Sequence, residues 1–316
     1  MDFKTYGNTG SPTLLLIPGL GVSYEILLPL IGMLKDRFHV IAVQVDGFTL
    51  YSHTEFTSID DQARQVVEYI NESLGGHLAI AYGLSLGGKI LSRVLEINEV
   101  VIEHAIMDAA PLLPLPRWLV GPLKYLQCAN VWSCYHWTGF WKWVFHSHYF
   151  DVLLDECKKI YPFGGSKAVL DGYTSVYTTK LESISGQDIH YWYGTKESFV
   201  AKPQVRHLKT LYPDTKIEIF KGMNHGQILV NHPEKAECQR ERRRAESSCS
   251  IKWSAFHSII RHRRSELEVR LVDVAGLDCM DGRCPLYSLL LIICGSIAGK
   301  RVPLQNHRSP GRTESH

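Results

Sequence analysis

The sequence predicts an α/β fold built on a mostly parallel, doubly wound sheet, and three observations lead there. Short apolar runs alternate with helical patterns over the first 110 residues and again over 189–220. The pentapeptide Gly83-Leu84-Ser85-Leu86-Gly87 stands between one such run and one such helix. A long, aromatic-rich interruption separates the two alternating stretches. Repeated strand, helix, strand units imply a sheet covered on both faces, with ligands gathering at the carboxyl ends of its strands.

The elements follow in order. Thr13–Ile17 and His39–Val45 are dense in β-branched and large apolar residues, as buried parallel strands require. Between them Tyr24–Leu34 reads as a helix. Ser58 has the chemistry of an N-cap for the next helix, with Asp61 adding negative charge to its first turn and Ala63, Val66, Val67 and Ile70 on one face. A strand runs from His77 to Tyr82, a helix from Leu86 to Leu95 and a strand from His104 to Asp108. After the interruption come strand Ile189–Tyr193, helix Phe199–Leu211 and strand Lys216–Phe220. Met1–Gly10 is polar and is read as carrying no targeting signal. Asp46 and Gly47, after the second long strand, are explained by turn formation at least as well as by chemistry.

The interruption, Ala110 to about Lys180, opens with Pro111, Pro114, Pro116 and Pro122. It then carries Trp118, Trp132, Trp137, Phe140, Trp141, Trp143, Phe145, Tyr149 and Phe150. An insertion of this length in an α/β pattern is expected to cap the site. Its aromatics either form the cap's own core or face down into an apolar acyl or alkyl pocket. The domain reading is a core of 1–109 and 181–235, a cap insertion of 110–180, and an Arg- and Cys-rich tail of 236–316 outside the fold.

That tail differs from the rest. Residues 1–235 carry 20 Lys and Arg against 23 Asp and Glu, whereas 236–316 carry 14 against 9, almost all Arg, together with five of the eight cysteines. His232 and Pro233 look like the start of a helix, yet 234–246 reads EKAECQRERRRAE, with almost no apolar face. The tail is therefore expected to be disordered or non-native, the product of a coding frame that diverges near Lys235. An Arg-rich extension for an anionic partner is the other reading. The apolar run 286–298 is shorter than a membrane span needs. Cys128, Cys134 and Cys157 lack pairing or metal spacing, which fits a cytoplasmic protein.

Chemistry concentrates at strand ends. A serine hydroxyl is a weak nucleophile until a base takes its proton and the backbone exposes it. A G-x-S-x-G turn from strand into helix does the second job, leaving Ser85 at the tip, and Gly88 lets the helix pack close. Gly19-Leu20-Gly21, Gly194-Thr195-Lys196-Glu197 and Asn224-His225-Gly226 also follow strands. Together these motifs, in the order nucleophile, acid, histidine, resemble the α/β-hydrolase superfamily over about residues 3–235. The resemblance implies Ser85 as nucleophile and His225 as general base. It leaves two candidates for the acid: Glu197, at the position where members usually keep one, and Asp108, at the end of the preceding strand. It also implies an oxyanion hole from the backbone N–H groups of Leu20 and Leu86. Many relatives have histidine where this chain has Pro18, so a side chain that often braces the loop is missing here.

The expected activity is hydrolysis of a carboxylic ester or thioester of a small apolar substrate. Amide or peptide hydrolysis on the same residues is a variant. A binding protein without turnover, or a product inactivated by its disrupted C-terminus, is the alternative of a different class. No metal cluster, phosphate loop or dinucleotide fingerprint occurs in the sequence, so no cofactor, metal or nucleic-acid partner is expected. The sequence carries no expectation about oligomeric state.

Overall fold

In the computed structural model, which describes residues 1–227 except 51, 52, 164 and 187, seven strands form one sheet in the order β1-β3-β2-β4-β5-β6-β7. The strands are β1 (Asp2–Tyr6), β2 (Thr13–Ile17), β3 (His39–Gln44), β4 (His77–Leu84), β5 (Val101–Asp108), β6 (Asp188–Gly194) and β7 (Lys216–Phe220). All neighbouring pairs are parallel except β1 with β3. The readings of residues 236–316, of the apolar run 286–298 and of His232 and Pro233 lie outside the described residues.

The helices are α1 (Leu28–Leu34, entered through a 3-10 turn at Tyr24–Leu27), α2 (Ile59–Leu74), α3 (Leu86–Ile97), α4 (Arg117–His136), α5 (Thr138–Phe145), α6 (His148–Ile160), α7 (Gly165–Thr178) and α8 (Ser198–Leu211). Helix α2 starts where the cap residue requires: the Asp61 N–H donates to Ser58 Oγ at 3.1 Å. It ends at Gly75, whose φ of 64° is the left-handed conformation that stops a helix cheaply.

Alternation along the central strands splits the core. Leu14, Leu16, Val40 and Ala42 pack on one face with Leu27, Ile31 and Leu34. Leu15, Ile17, Ile41 and Val43 pack on the other with Val66, Ile70, Ile90 and Val94. Each such fully buried Leu, Ile or Val side chain stabilises the fold by about 1.5–3 kcal/mol relative to exposure. Asp46 sits beside this core, its carboxylate accepting from the amides of Gln62 and Gln65 at 3.0 Å each, so α2 anchors the turn after β3.

One strand departs from the sequence reading. The polar segment Met1–Gly10, to which the sequence reading assigned no element, contains β1, which adds antiparallel to the edge of β3 and stacks Phe3 on Tyr69 with ring centroids 3.8 Å apart. An edge strand with mostly solvated side chains has no apolar periodicity to betray it. Between β5 and β6 the chain forms the four helices α4–α7.

Candidate active site

Ser85 ends up on a backbone that most residues avoid. Its φ of 52° and ψ of −108° lie outside the regions that L-residues favour, a strain of order 1–3 kcal/mol that the surroundings must hold in place. The Ser85 N–H donates to the carbonyl of Asp108 at 2.7 Å, and the Ser85 carbonyl accepts the N–H of Lys89 at 2.9 Å. The flanking glycines are steric necessities. A Cβ on Gly83 would strike the carbonyl of Gly87, and one on Gly87 would strike the carbonyl of Ile17. Helix α3 thus begins against the end of β2, close to Gly19 and Leu20. As the first residue of α3, Leu86 has an N–H that its own helix cannot satisfy.

His225 lies in the turn after β7 and Glu197 in the 3-10 turn after β6. Glu197 Oε2 accepts a hydrogen bond from His225 Nδ1 at 2.7 Å, while Oε1 accepts the N–H of Gly194 at 3.0 Å, which fixes the carboxylate at the strand end. With Nδ1–H held by a carboxylate, Nε2 carries the ring's lone pair. Burial opposes charge on the imidazole, but the negative charge and hydrogen bond of Glu197, with the charge of Asp108, outweigh it. The pKa of His225 is raised above the ordinary 6.5.

Asp108, the other candidate acid, occupies the end of β5 in full burial. Its Oδ2 accepts the phenol of Tyr82 at 2.7 Å. Burial, aided by the nearby charge of Glu197, pushes its pKa up to about 7 against the influence of Tyr82 and His225. Of the two carboxyls, the one bonded to the imidazole is Glu197.

A cavity of about 430 Å³ opens over these residues. Ser85, Leu86, Leu20, His225 and Glu197 line it together with side chains from the helical insertion and from α8, among them Phe199 and Pro203. The insertion's aromatics divide in a way the sequence reading did not foresee. Trp141, Phe145, Tyr149 and Phe150 line the cavity, whereas Trp118, Trp132, Trp137, Phe140 and Trp143 are exposed. Tyr149 also does something that sequence reasoning missed: its phenol donates to the backbone carbonyl of His225 at 2.6 Å. A second unforeseen link joins the same helix to the segment after β2, where Ser23 Oγ donates to the buried Glu156 Oε2 at 2.7 Å. Both connect residues too far apart in the chain for any local pattern to reveal.

Burial first, then the neighbouring Cys134, raises the pKa of Cys157 to about 12, which keeps its thiol protonated and unreactive. Among the described residues no helix is long and apolar enough to cross a membrane.

The sequence model of the alpha/beta hydrolase family matches residues 14–236. No curated protein matches the chain in sequence. Similar solved structures include MenH from S. aureus, with a TM-score of 0.61 and 13% identity over 78% of this chain and 99% of that one. A thermophilic esterase from Thermogutta terrifontis gives a TM-score of 0.60 at 15% identity, over 77% and 93% of the two chains. A carboxylesterase from Nitrososphaera gargenis gives 0.58 at 15%, again over 77% and 93%. At these identities the likeness concerns the fold. The sequence match takes in most of the sheet, the insertion between β5 and β6 and the His225 turn, and on that ground the chain belongs to the alpha/beta hydrolase family.

Proposed function

We propose that the protein is a serine hydrolase that cleaves a carboxylic ester or thioester with an apolar acyl or alkyl portion. The observation that carries this reading is the 2.7 Å bond between Glu197 and His225 at the edge of a cavity that Ser85 also lines. Ser85 Oγ attacks the substrate carbonyl carbon as its proton passes to His225 Nε2. The oxygen that becomes negative rests on the N–H groups of Leu20 and Leu86. The tetrahedral species collapses, the bond to the leaving alkoxide or thiolate breaks, and His225 Nε2–H protonates that group as it departs. Water, deprotonated by the same nitrogen, then attacks the acyl-enzyme and restores Ser85. Glu197 keeps the ring in the tautomer with Nε2 free and stabilises it once charged. The apolar preference follows from the lining, in which Leu84, Leu113, Leu119, Val131, Leu153 and Val176 predominate over polar groups.

The test is a panel of p-nitrophenyl esters of increasing acyl length, with a fluorophosphonate probe used on the same preparations. The wild type is expected to take the label and hydrolyse the esters, and Ser85→Ala to do neither. Label retained by Ser85→Ala would remove Ser85 as the nucleophile. An unlabelled, inactive wild type that still binds an acyl ligand would point to a binding protein.

A further inference from the structure

Helices α4 and α5, with Trp137 between them, turn six large aromatic side chains to solvent: Trp118, Tyr125, Trp132, Trp137, Phe140 and Trp143 are between 44% and 70% exposed. Scattered apolar side chains on a surface need no explanation, but six along two consecutive helices and their junction make a patch. Its geometry is regular. Trp118, Tyr125 and Trp132 are spaced seven apart, almost two full turns, so they form one stripe along α4. The opposite side of α4 is occupied, with Leu119, Val120 and Leu123 buried and Asn130 and Val131 lining the cavity. On α5, Phe140 and Trp143 face out with centroids 6.3 Å apart, while Trp141 and Phe145 stack at 5.4 Å and line the cavity. Trp132 meets Trp137 edge-on at 5.7 Å, which joins the two stripes.

The formal charges within α4 and α5 have one sign. From Ala109 to Phe150 the chain contains Arg117, Lys124 and Lys142 and no Asp or Glu. Lys124 lies over the ring of Tyr125 at 5.4 Å, and Lys142 pairs with Asp155 of α6 at 2.7 Å.

We propose that the outer face of α4 and α5 docks on an anionic lipid–water interface. Trp and Tyr combine an apolar ring with a polar N–H or O–H and settle at the level of lipid headgroups, while Phe and the body of Trp reach the acyl boundary. Arg117 and Lys124 supply attraction to acidic headgroups, whereas Lys142 is already paired with Asp155. A second copy of the chain is the weaker occupant, because a two-fold contact through this face would set Arg117 and Lys124 against their own copies with no acid of the patch to offset them. The inference stands apart from the proposed chemistry: the patch requires lipid, whether or not Ser85 is a nucleophile.

Sedimentation of the full chain with vesicles tests it, using phosphatidylcholine alone and phosphatidylcholine mixed with phosphatidylglycerol. The wild type is expected to bind the mixed vesicles, to bind pure phosphatidylcholine several-fold more weakly, and to be released by salt. The double substitution Trp118→Ser with Trp143→Ser is expected to cut binding at least about tenfold, as is Lys124→Glu on an unaltered aromatic face. Both variants should hydrolyse a soluble short-chain p-nitrophenyl ester at the wild-type rate, and Ser85→Ala should bind vesicles as the wild type does. Absence of wild-type binding to the mixed vesicles overturns the proposal, and so does equal binding by the variants. Self-association in analytical ultracentrifugation that Trp118→Ser with Trp143→Ser abolishes, without vesicle binding, would assign the face to a second copy instead.

Discussion

Replacing Glu197 by glutamine sets the acid against its rival. The substitution keeps the volume of a buried side chain and removes the charge that faces His225 Nδ1 at 2.7 Å. A carboxylate and an imidazolium about 4 Å apart attract by about 4 kcal/mol at an effective dielectric near 20. That attraction exists only while the ring is charged, during attack and collapse, so losing most of it slows turnover by about 10²- to 10³-fold. Loss of tautomer control, because glutamine can also donate to Nδ1, extends the range towards about 10⁴-fold. The pH profile moves too. In the wild type burial pulls the pKa of His225 down, and Glu197 with Asp108 more than reverses it, so kcat/KM climbs with pH through a value above 6.5. In Glu197→Gln the burial remains and the main upward influence is gone, so the ascending limb shifts to lower pH while its plateau drops. The assay is kcat/KM on a soluble p-nitrophenyl ester between about pH 5 and 9, corrected for spontaneous hydrolysis. Asp108→Asn, which disturbs a carboxyl bonded to Tyr82, is expected to cost less than about tenfold. A larger loss in Asp108→Asn than in Glu197→Gln, or an ascending limb that stays in place in Glu197→Gln, would refute the reasoning.

Two further outcomes are expected. Tyr149→Phe removes one partly buried hydrogen bond to the carbonyl of His225, about 1 kcal/mol, and should lower kcat by about five- to tenfold with KM nearly unchanged, measured by steady-state kinetics on the same ester. Lys89, 1% exposed, donates to the carbonyls of Leu112 at 3.4 Å and Thr179 at 2.7 Å, the two ends of the insertion, and burial lowers its pKa from 10.5 to about 8. Below about pH 8 the group is charged in both states and its burial cost is fully felt. As pH rises towards 10.5 the folded state sheds the proton first, so this group stabilises folding increasingly. Urea unfolding of the wild type and Lys89→Met should therefore show the stability difference shifting by about 2 kcal/mol in favour of the wild type between about pH 7.5 and 9.5. A difference that stays flat would show that Lys89 keeps an ordinary pKa.

How much of this was legible depended on how local each cause is. The central strands could be read because Leu14–Ile17 and Val40–Val43 are buried on both faces, which writes an unbroken apolar run into the chain. The turn at Ser85 could be read because Gly83 and Gly87 are demanded by contacts within a few residues and with the end of β2. Strand β1 could not, since its pairing with β3 uses backbone groups that every residue has. Glu197 was preferred to Asp108 only through the resemblance, since both stand at strand ends where an acid could serve. The difference is tertiary: the neighbouring strand β4 presents the Tyr82 phenol to Asp108, and no spacing announces that. The aromatic content of the insertion was plain, but helical spacing identifies a stripe without saying which way it faces. Only the packing of Leu119, Val120 and Leu123 inward turns Trp118, Tyr125 and Trp132 outward.

The links made by α6 change what the insertion is for. The proposed machinery hangs on two turns beyond strand ends, one carrying Leu20 and the other His225, and each contains a glycine at positive φ, Gly21 at 76° and Gly226 at 61°. Such turns have the freedom to drift, and a displacement of about 1 Å in a reacting group costs on the order of 10²-fold in rate. The sheet holds Ser85 through its own backbone contacts, and the turn after β6 reaches the second of these turns, where the Lys196 N–H donates to the carbonyl of Met223 at 3.1 Å. Helix α6 reaches both: Tyr149 donates to the carbonyl of His225, and Glu156 accepts from Ser23, two residues beyond Gly21. This chain has Pro18 at the start of the first turn, and the link to Ser23 comes from across the cavity. In the proposed mechanism the insertion acts on turnover as well as on substrate binding, so a change that loosens α6 should lower kcat even for an ester too small to touch the apolar lining.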